Sequence, residues 1–181
     1  MAVSAATYEQ VALEDGDTTW EYVCGQLREK PSMTQAHNSV GTLLGFFIQT
    51  QLGLDDFRVR INSGRLRTAA GNAYVPDVAV LPSGLLSVPQ GIETLETYDE
   101  PLPFVAEVWS PSTGDYDVEA KFPDYRERGD EVIWRVHPYD RTVDSWVRQT
   151  DGSYREAHFD SGVVGIPSLP GVAIDLEQLF R

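Results

Sequence analysis

Tyr74-Val75-Pro76-Asp77-Val78-Ala79-Val80-Leu81 and Phe104-Val105-Ala106-Glu107-Val108-Trp109-Ser110 are the stretches whose reading decides the fold. Each is an almost continuous apolar run interrupted by one acid. Continuous runs of this length suit strands buried on both faces. Pro76 has no N–H to give to a ladder, so regular pairing is expected to begin after it. Pro111-Ser112-Thr113-Gly114 ends the second run. A helical stretch from Asp115 to about Arg128 follows, with Asp117, Lys121, Tyr125 and Gly129 spaced by four and Val118, Phe122 and Tyr125 on its apolar side. Pro123 removes one helical bond and clashes with the preceding turn. Either the helix kinks there or its regular part starts near Pro123.

Working outward, Tyr8 to Leu13 reads as a short helix stopped by Glu14-Asp15-Gly16-Asp17. Trp20 to Cys24 and Leu27 to Glu29 read as a hairpin about Gly25-Gln26. Thr34 or Ser32 can cap the next helix, where Val40, Leu43, Leu44, Phe47, Ile48 and Leu52 recur at spacings of three and four up to Gly53. His37 lies in its first turn, where a histidine is ordinarily a surface or cap residue. Phe57 to Ile61 and Arg65 to Arg67 alternate around Asn62-Ser63-Gly64 and read as a second hairpin. Alternation sets Arg58 and Arg60 on one face, and Arg65 and Arg67 opposite Leu66. That short basic ribbon is either a solvated face or a phosphate-contacting one.

Pro82 to Pro103 has little periodicity, carries Glu93, Glu96, Asp99 and Glu100, and is long enough to cover a site. Glu131 to Val136 reads as a strand. Thr142 to Arg148 and Ser153 to His158 form a hairpin through Thr150-Asp151-Gly152, and Asp175 caps a last turn over Leu176 to Phe180. The order predicts an α/β or α+β fold: a mixed central sheet flanked by helices, with antiparallel hairpins in the N- and C-terminal parts.

At 181 residues the chain reads as one domain, 1–181. Its formal charge of −14 counts against broad, non-specific nucleic-acid binding, which needs clustered Lys and Arg. One cysteine, Cys24, excludes an intrachain disulfide and a cysteine-rich zinc site. The N-terminus lacks the charged and apolar regions of a signal peptide, and no apolar run approaches the roughly 20 residues of a membrane span. A soluble cytoplasmic protein is expected.

Asp77, Glu107 and Lys121 are the residues with chemistry to offer. A buried carboxylate without a partner costs several kcal/mol, so each acid needs a metal, a basic partner or solvent. Simple pairing with Lys121 and an arginine would satisfy them. So would Mg²⁺, which neutralises a non-bridging phosphate oxygen and acidifies a bound water, with a lysine beside it to orient that water.

Beyond these residues lie Trp20-Glu21-Tyr22 with Gly25, His37-Asn38, and Asp117-x-x-x-Lys121-x-x-x-Tyr125-x-x-x-Gly129 before Trp134. The tail is Pro170-Gly171-Val172-x-Ile174-x-Leu176-x-x-Leu179-Phe180. Together with Val75-Pro76-Asp77 and Ala106 to Thr113, the set closely resembles the putative restriction endonuclease family of the PD-(D/E)XK superfamily, across most of the chain. The resemblance implies a restriction-endonuclease-like fold and Mg²⁺-dependent cleavage of DNA, with Mn²⁺ as a substitute ion. It implies Asp77 and Glu107 as metal ligands and Lys121 as the active-site amine, with Tyr125, His37 and Glu21 bordering them. The superfamily's usual lysine lies two residues after the second acid. Here Trp109 stands there, so the amine must come from Lys121, a variation this branch shows. Two-strand cleavage would suit a homodimer with paired sites. Against an endonuclease stands a non-catalytic regulatory or interaction protein that keeps the fold, which the net charge and sparse basic residues favour. A hydrolase of another phosphate ester would share the site but not need the arginines.

Overall fold

The two apolar runs lie side by side. In the computed structural model, which describes residues 2–87, 91 and 93–181, they contribute β6 (Val78–Pro82) and β8 (Phe104–Val108), paired antiparallel with Val78 opposite Ala106. In chain order the other elements are α1 (Ala5–Glu14), β1 (Trp20–Val23), β2 (Gln26–Glu29), α2 (Gln35–Gln51), β3 (Phe57–Ile61), β4 (Arg65–Arg67) and β5 (Ala73–Tyr74) before β6. A 3₁₀ turn (Ser83–Ser87) and β7 (Thr97–Tyr98) precede β8. After β8 come a π-helical turn (Asp117–Lys121), α3 (Phe122–Arg128), β9 (Val132–His137), β10 (Thr142–Arg148), β11 (Tyr154–Phe159), β12 (Val163–Gly165), β13 (Ala173–Asp175) and α4 (Leu176–Leu179).

The main sheet has six strands in the order β11-β10-β9-β8-β6-β3, antiparallel throughout except for the parallel β8–β9 pair. A smaller sheet runs β2-β1-β5-β4-β7. The mixed architecture flanked by helices is therefore as the sequence predicts. Period-2 alternation divides the main sheet's side chains between two cores. Val78, Val80, Phe104, Ala106, Val132 and Trp134 pack with α2 and the C-terminal β13–α4 segment. Ala79, Leu81, Val105, Ile133 and Trp146 face the other way, onto Phe122 and Tyr125 of α3 and onto Leu66, Tyr74 and Tyr98 of the small sheet. Glu107 shares its parity with Val105, so its side chain enters the core beneath α3.

Several boundaries differ from the sequence reading. The first hairpin turns at Cys24-Gly25, with φ of 49° and 78°, rather than at Gly25-Gln26. A two-residue turn with both residues left-handed matches strand twist, and Gly25 supplies the second at no steric cost. Phe57 to Arg67 is not a hairpin. β3 pairs with β6 in the main sheet, whereas β4 pairs with β5 and β7 in the small one, so Arg58 and Arg60 lie in a different sheet from Arg65 and Arg67. Asn62, at φ 48°, makes the change of direction. Tyr74 to Leu81 is not one strand either: Val75-Pro76-Asp77 is where the chain crosses from the small sheet to the main one. The Pro82–Pro103 segment contains the 3₁₀ turn and β7; its residues 88–90 and 92 lie outside the described residues.

Pro123 is accommodated by the second of the two routes open to it. The turn before it is π-helical and α3 begins at Phe122, placing the proline where a missing N–H costs least. Gly129, at φ 85°, closes the helix. Arg128, with a side chain 2% exposed, then fixes α3 to the small sheet. Its guanidinium donates to the carbonyls of Arg67, Tyr98 (3.1 Å) and Glu100 (2.6 Å) and pairs with Asp130 at 3.2 Å. Asp130 in turn accepts from the Leu102 N–H at 2.7 Å.

Breaking such a buried network leaves both a charge and several carbonyls unpaired. Arg128→Met is therefore expected to cost at least about 3 kcal/mol in urea denaturation. A loss well under about 1 kcal/mol would show that the staple is not structural.

Candidate active site

The β6–β8 pairing ends at Val78 opposite Ala106, and Asp77 and Glu107 are the next residue on each side. Like charges opposed across a pair of strands destabilise it unless something compensates. Both residues are 1% exposed, so water does not. The compensation comes from two lysines. Lys30 Nζ lies 2.7 Å from Asp77 Oδ1, and Lys121 Nζ lies 3.2 Å from Glu107 Oε1. The chain has only these two lysines; its other twelve cations are arginines.

The remaining contacts fix the orientation of each group. Asp77 Oδ2 accepts from the Val108 N–H at 2.7 Å and lies 3.0 Å from His37 Nε2. His37 is carried there by the first turn of α2, which Thr34 caps through the His37 N–H. Tyr125, from α3, donates its hydroxyl to Glu107 Oε1 at 2.6 Å. Lys121, on the π-helical turn, also meets Glu21 at 3.0 Å and Asp117 at 3.3 Å. Glu21 comes from β1 and accepts the Val75 N–H at 2.9 Å, holding the crossing between the sheets. The two sheets, α2 and the π-helical turn thus each supply part of one cluster.

The sequence-derived residues Asp77, Glu107, Lys121, Tyr125, His37 and Glu21 all meet here. The arginines do not. Arg60 pairs with Glu96 at 2.6 Å and Arg67 with Asp99 at 2.7 Å. Arg65 donates to the Tyr8 hydroxyl at 2.9 Å, and Arg58 to Ser83 Oγ at 3.3 Å. Trp109 stacks on His137, with centroids 4.3 Å apart. Sequence reasoning missed Lys30 as a member, although its rarity was a signal. It also missed Arg28, whose guanidinium lies 3.2 Å over the Tyr116 ring.

Burial works against Asp77's charge, but Lys30 and the His37 hydrogen bond outweigh it and hold the carboxyl well below its usual range. Glu107 goes the other way. Burial, reinforced by Asp117 and Asp77, outweighs Lys121 and pushes its carboxyl up to about 8. Burial alone would lower Lys121, yet Glu107, Glu21, Asp117 and Asp77 together keep it protonated.

A cavity of about 10 Å³, on the order of the room for one water or bare ion, opens among Glu21, Lys30, Asp77, Glu107, Asp117 and Lys121. Asp77 Oδ1, Asp117 Oδ1 and the Tyr116 hydroxyl are buried there without a hydrogen bond. Hard carboxylate oxygens left in this condition suit Mg²⁺ or Mn²⁺. Among the described residues, however, no three acids, histidines or cysteines converge closely enough to grip an ion as they stand. The ammonium groups fill the cationic positions instead. Asp77, Glu107 and Asp117, which line the cavity, are the carboxylates that could hold a divalent ion.

Comparison with known proteins bears on the family and the fold. The family model described as "Uma2: Putative restriction endonuclease" matches residues 5–177. The fold is similar to a crystal structure of a "putative nuclease belonging to DUF820" from Anabaena variabilis, with a TM-score of 0.76 over 94% of each chain. At 17% identity that likeness bears on the fold alone. No curated protein matches the chain. Among the described residues, no helix is long and apolar enough to cross a membrane.

The raised Glu107 carboxyl has a consequence for stability. Its folded value of about 8 exceeds the ordinary 4.5, so folding takes up a proton between those pH values. The group's contribution to stability therefore falls as pH rises through that window. Glu107→Gln cannot titrate. Relative to wild type it is expected to gain on the order of 3 kcal/mol between pH 5 and pH 8 in urea denaturation. Parallel pH profiles for the two proteins would contradict the raised value.

Proposed function

Because the chain belongs to the family described as Putative restriction endonuclease, we propose that it is a Mg²⁺-dependent endonuclease hydrolysing DNA phosphodiester bonds at the Asp77–Glu107–Lys121 cluster. The observation that supports this most is the concentration of both lysines of the chain, with the further carboxylates of Glu21 and Asp117, on the two neighbouring acids. A structural ion pair needs one cation per acid. It does not need further carboxylates from Glu21 and Asp117 around the same ammonium, nor a buried Tyr116 hydroxyl without a hydrogen bond.

Asp77 and Glu107 would hold the Mg²⁺, whose chemistry when bound is to neutralise a phosphate oxygen and acidify a water. The chain's own residues account for the rest. The Val108 N–H and His37 hold Asp77 Oδ2 in place, with Oδ1 turned to Lys30. Tyr125 fixes Glu107 in the same way. Lys121, kept protonated by its four acidic neighbours, orients the attacking water and offsets charge developing on the phosphoryl group. Arg28, also on the cavity lining, is a further cation for the DNA backbone. With Arg60 and Arg67 already in ion pairs, few phosphate contacts are expected, and the salt dependence of binding should be shallow.

One observation favours the second reading, a non-catalytic protein that keeps the nuclease fold. Asp77, Glu107 and Lys121 are at most 2% exposed, so a phosphodiester reaches them only if the cavity opens.

Cleavage of supercoiled plasmid with Mg²⁺ or Mn²⁺ separates the two. Asp77→Asn, Glu107→Gln and Lys121→Met are each expected to lower the nicking rate at least about a hundredfold. A chelator should abolish nicking. Nicking that survives all three substitutions would place the chemistry elsewhere. Its absence with either ion, in wild type, would favour the non-catalytic reading.

A further inference from the structure

Lys30 is a lysine no part of the proposed chemistry uses, yet it is built into the site. Its side chain is 7% exposed, and its ammonium has three partners: Asp77 Oδ1 at 2.7 Å, Asn62 Oδ1 at 2.9 Å and the Val75 carbonyl at 2.8 Å. Two of the three are neutral oxygens on the strand ends flanking Asp77. Asn62 is held with its backbone left-handed, a conformation asparagine tolerates better than most residues, and its N–H donates to the Asp77 carbonyl at 2.9 Å. The cradle therefore remains whether or not the ammonium touches Asp77. The contact with Asp77 itself is ionic only: Oδ1 has no partner at hydrogen-bond geometry. Oδ2 is already taken by the Val108 N–H and His37, so Oδ1 is the oxygen left for an ion.

We infer that Lys30 is an internal cation that holds Asp77 Oδ1 while the site is empty and must release it when a divalent ion binds, so that Lys30 sets the site's metal affinity. This rests on the proposed metal-dependent reading. On release, Lys30 keeps Asn62 and Val75 as partners, so the exchange costs it one ionic contact rather than its whole environment. Asp77 is spared an unpaired buried charge in the absence of metal.

The test is calorimetric titration of the whole chain with Mn²⁺ and Mg²⁺. Lys30→Gln and Lys30→Met, which remove the competing charge, are expected to bind about tenfold tighter or more than wild type. Lys30→Arg, which keeps a cation there, is expected not to gain. Wild-type protein labelled with ¹⁵N-lysine provides a measurement that needs no variant to fold. Only two ammonium resonances are possible, and Mg²⁺ is expected to shift that of Lys30 as it leaves Asp77. If wild type binds ions but the neutral variants bind no tighter, or the Lys30 resonance does not move, the inference falls and the metal-dependent reading stands. If neither wild type nor the variants bind either ion, both fall together.

Discussion

Two carboxylates facing each other across neighbouring antiparallel strands, with no access to water, make a constraint that the surrounding structure has to meet. Asp77 and Glu107 stand close to that relation, each one residue beyond the last β6–β8 pair, Val78 and Ala106. Each is stabilised from a different direction. Lys30, beyond the first hairpin, and His37 of α2 hold Asp77; Lys121 and Tyr125 reach Glu107 from the helical segment after β8. The small sheet, α2 and α3 are therefore positioned partly by the need to bring counter-charges and donors to one pair of acids. Arg128 and Asp124 complete the docking of α3: the first binds carbonyls of β4 and β7, the second accepts from Tyr74 and Asn72 at 2.8 Å each. Removing either acid would leave buried cations, which explains why the cluster is as much part of the fold as part of the site.

Much of this was legible in the sequence, for physical reasons that can be named. The main-sheet strands are buried on both faces, so Val78 to Leu81 and Phe104 to Val108 read as apolar runs. α2 buries one face, so its residues recur at helical spacing. Each site acid interrupts an apolar run, which is conspicuous because burial penalises it. The four-residue spacing of Asp117, Lys121 and Tyr125 survives the π-helical turn well enough to bring Lys121 and Tyr125 onto Glu107 and Lys121 onto Asp117.

What was not legible depends on long-range pairing. Asn62-Ser63-Gly64 has the composition of a hairpin turn, but β3 finds its partner in β6 and β4 finds its partners in β5 and β7. Local turn chemistry cannot choose between a neighbouring strand and a distant one. Pro76 marks the start of pairing correctly, yet nothing local says that the residues before it belong to another sheet. Lys30 was missed for a related reason. It follows a short, half-buried strand, has no periodic pattern around it, and meets Asp77 only through the fold. Its scarcity was the one available signal: in a chain of 12 arginines and two lysines, both lysines are spent on these acids.

The balance of charge bears on how such a site could work. Glu21, Asp77 and Asp117 outnumber the two lysines even with Glu107 protonated, and a divalent ion bound there would displace the Glu107 proton. Crystals soaked in Mn²⁺, with anomalous diffraction recorded at the manganese edge, test this most directly. The account predicts a single strong peak bridging Asp77 and Glu107, within coordination distance of both. Manganese density elsewhere on the molecule, with the two lysines still closed on an ion-free pair of acids, would contradict it.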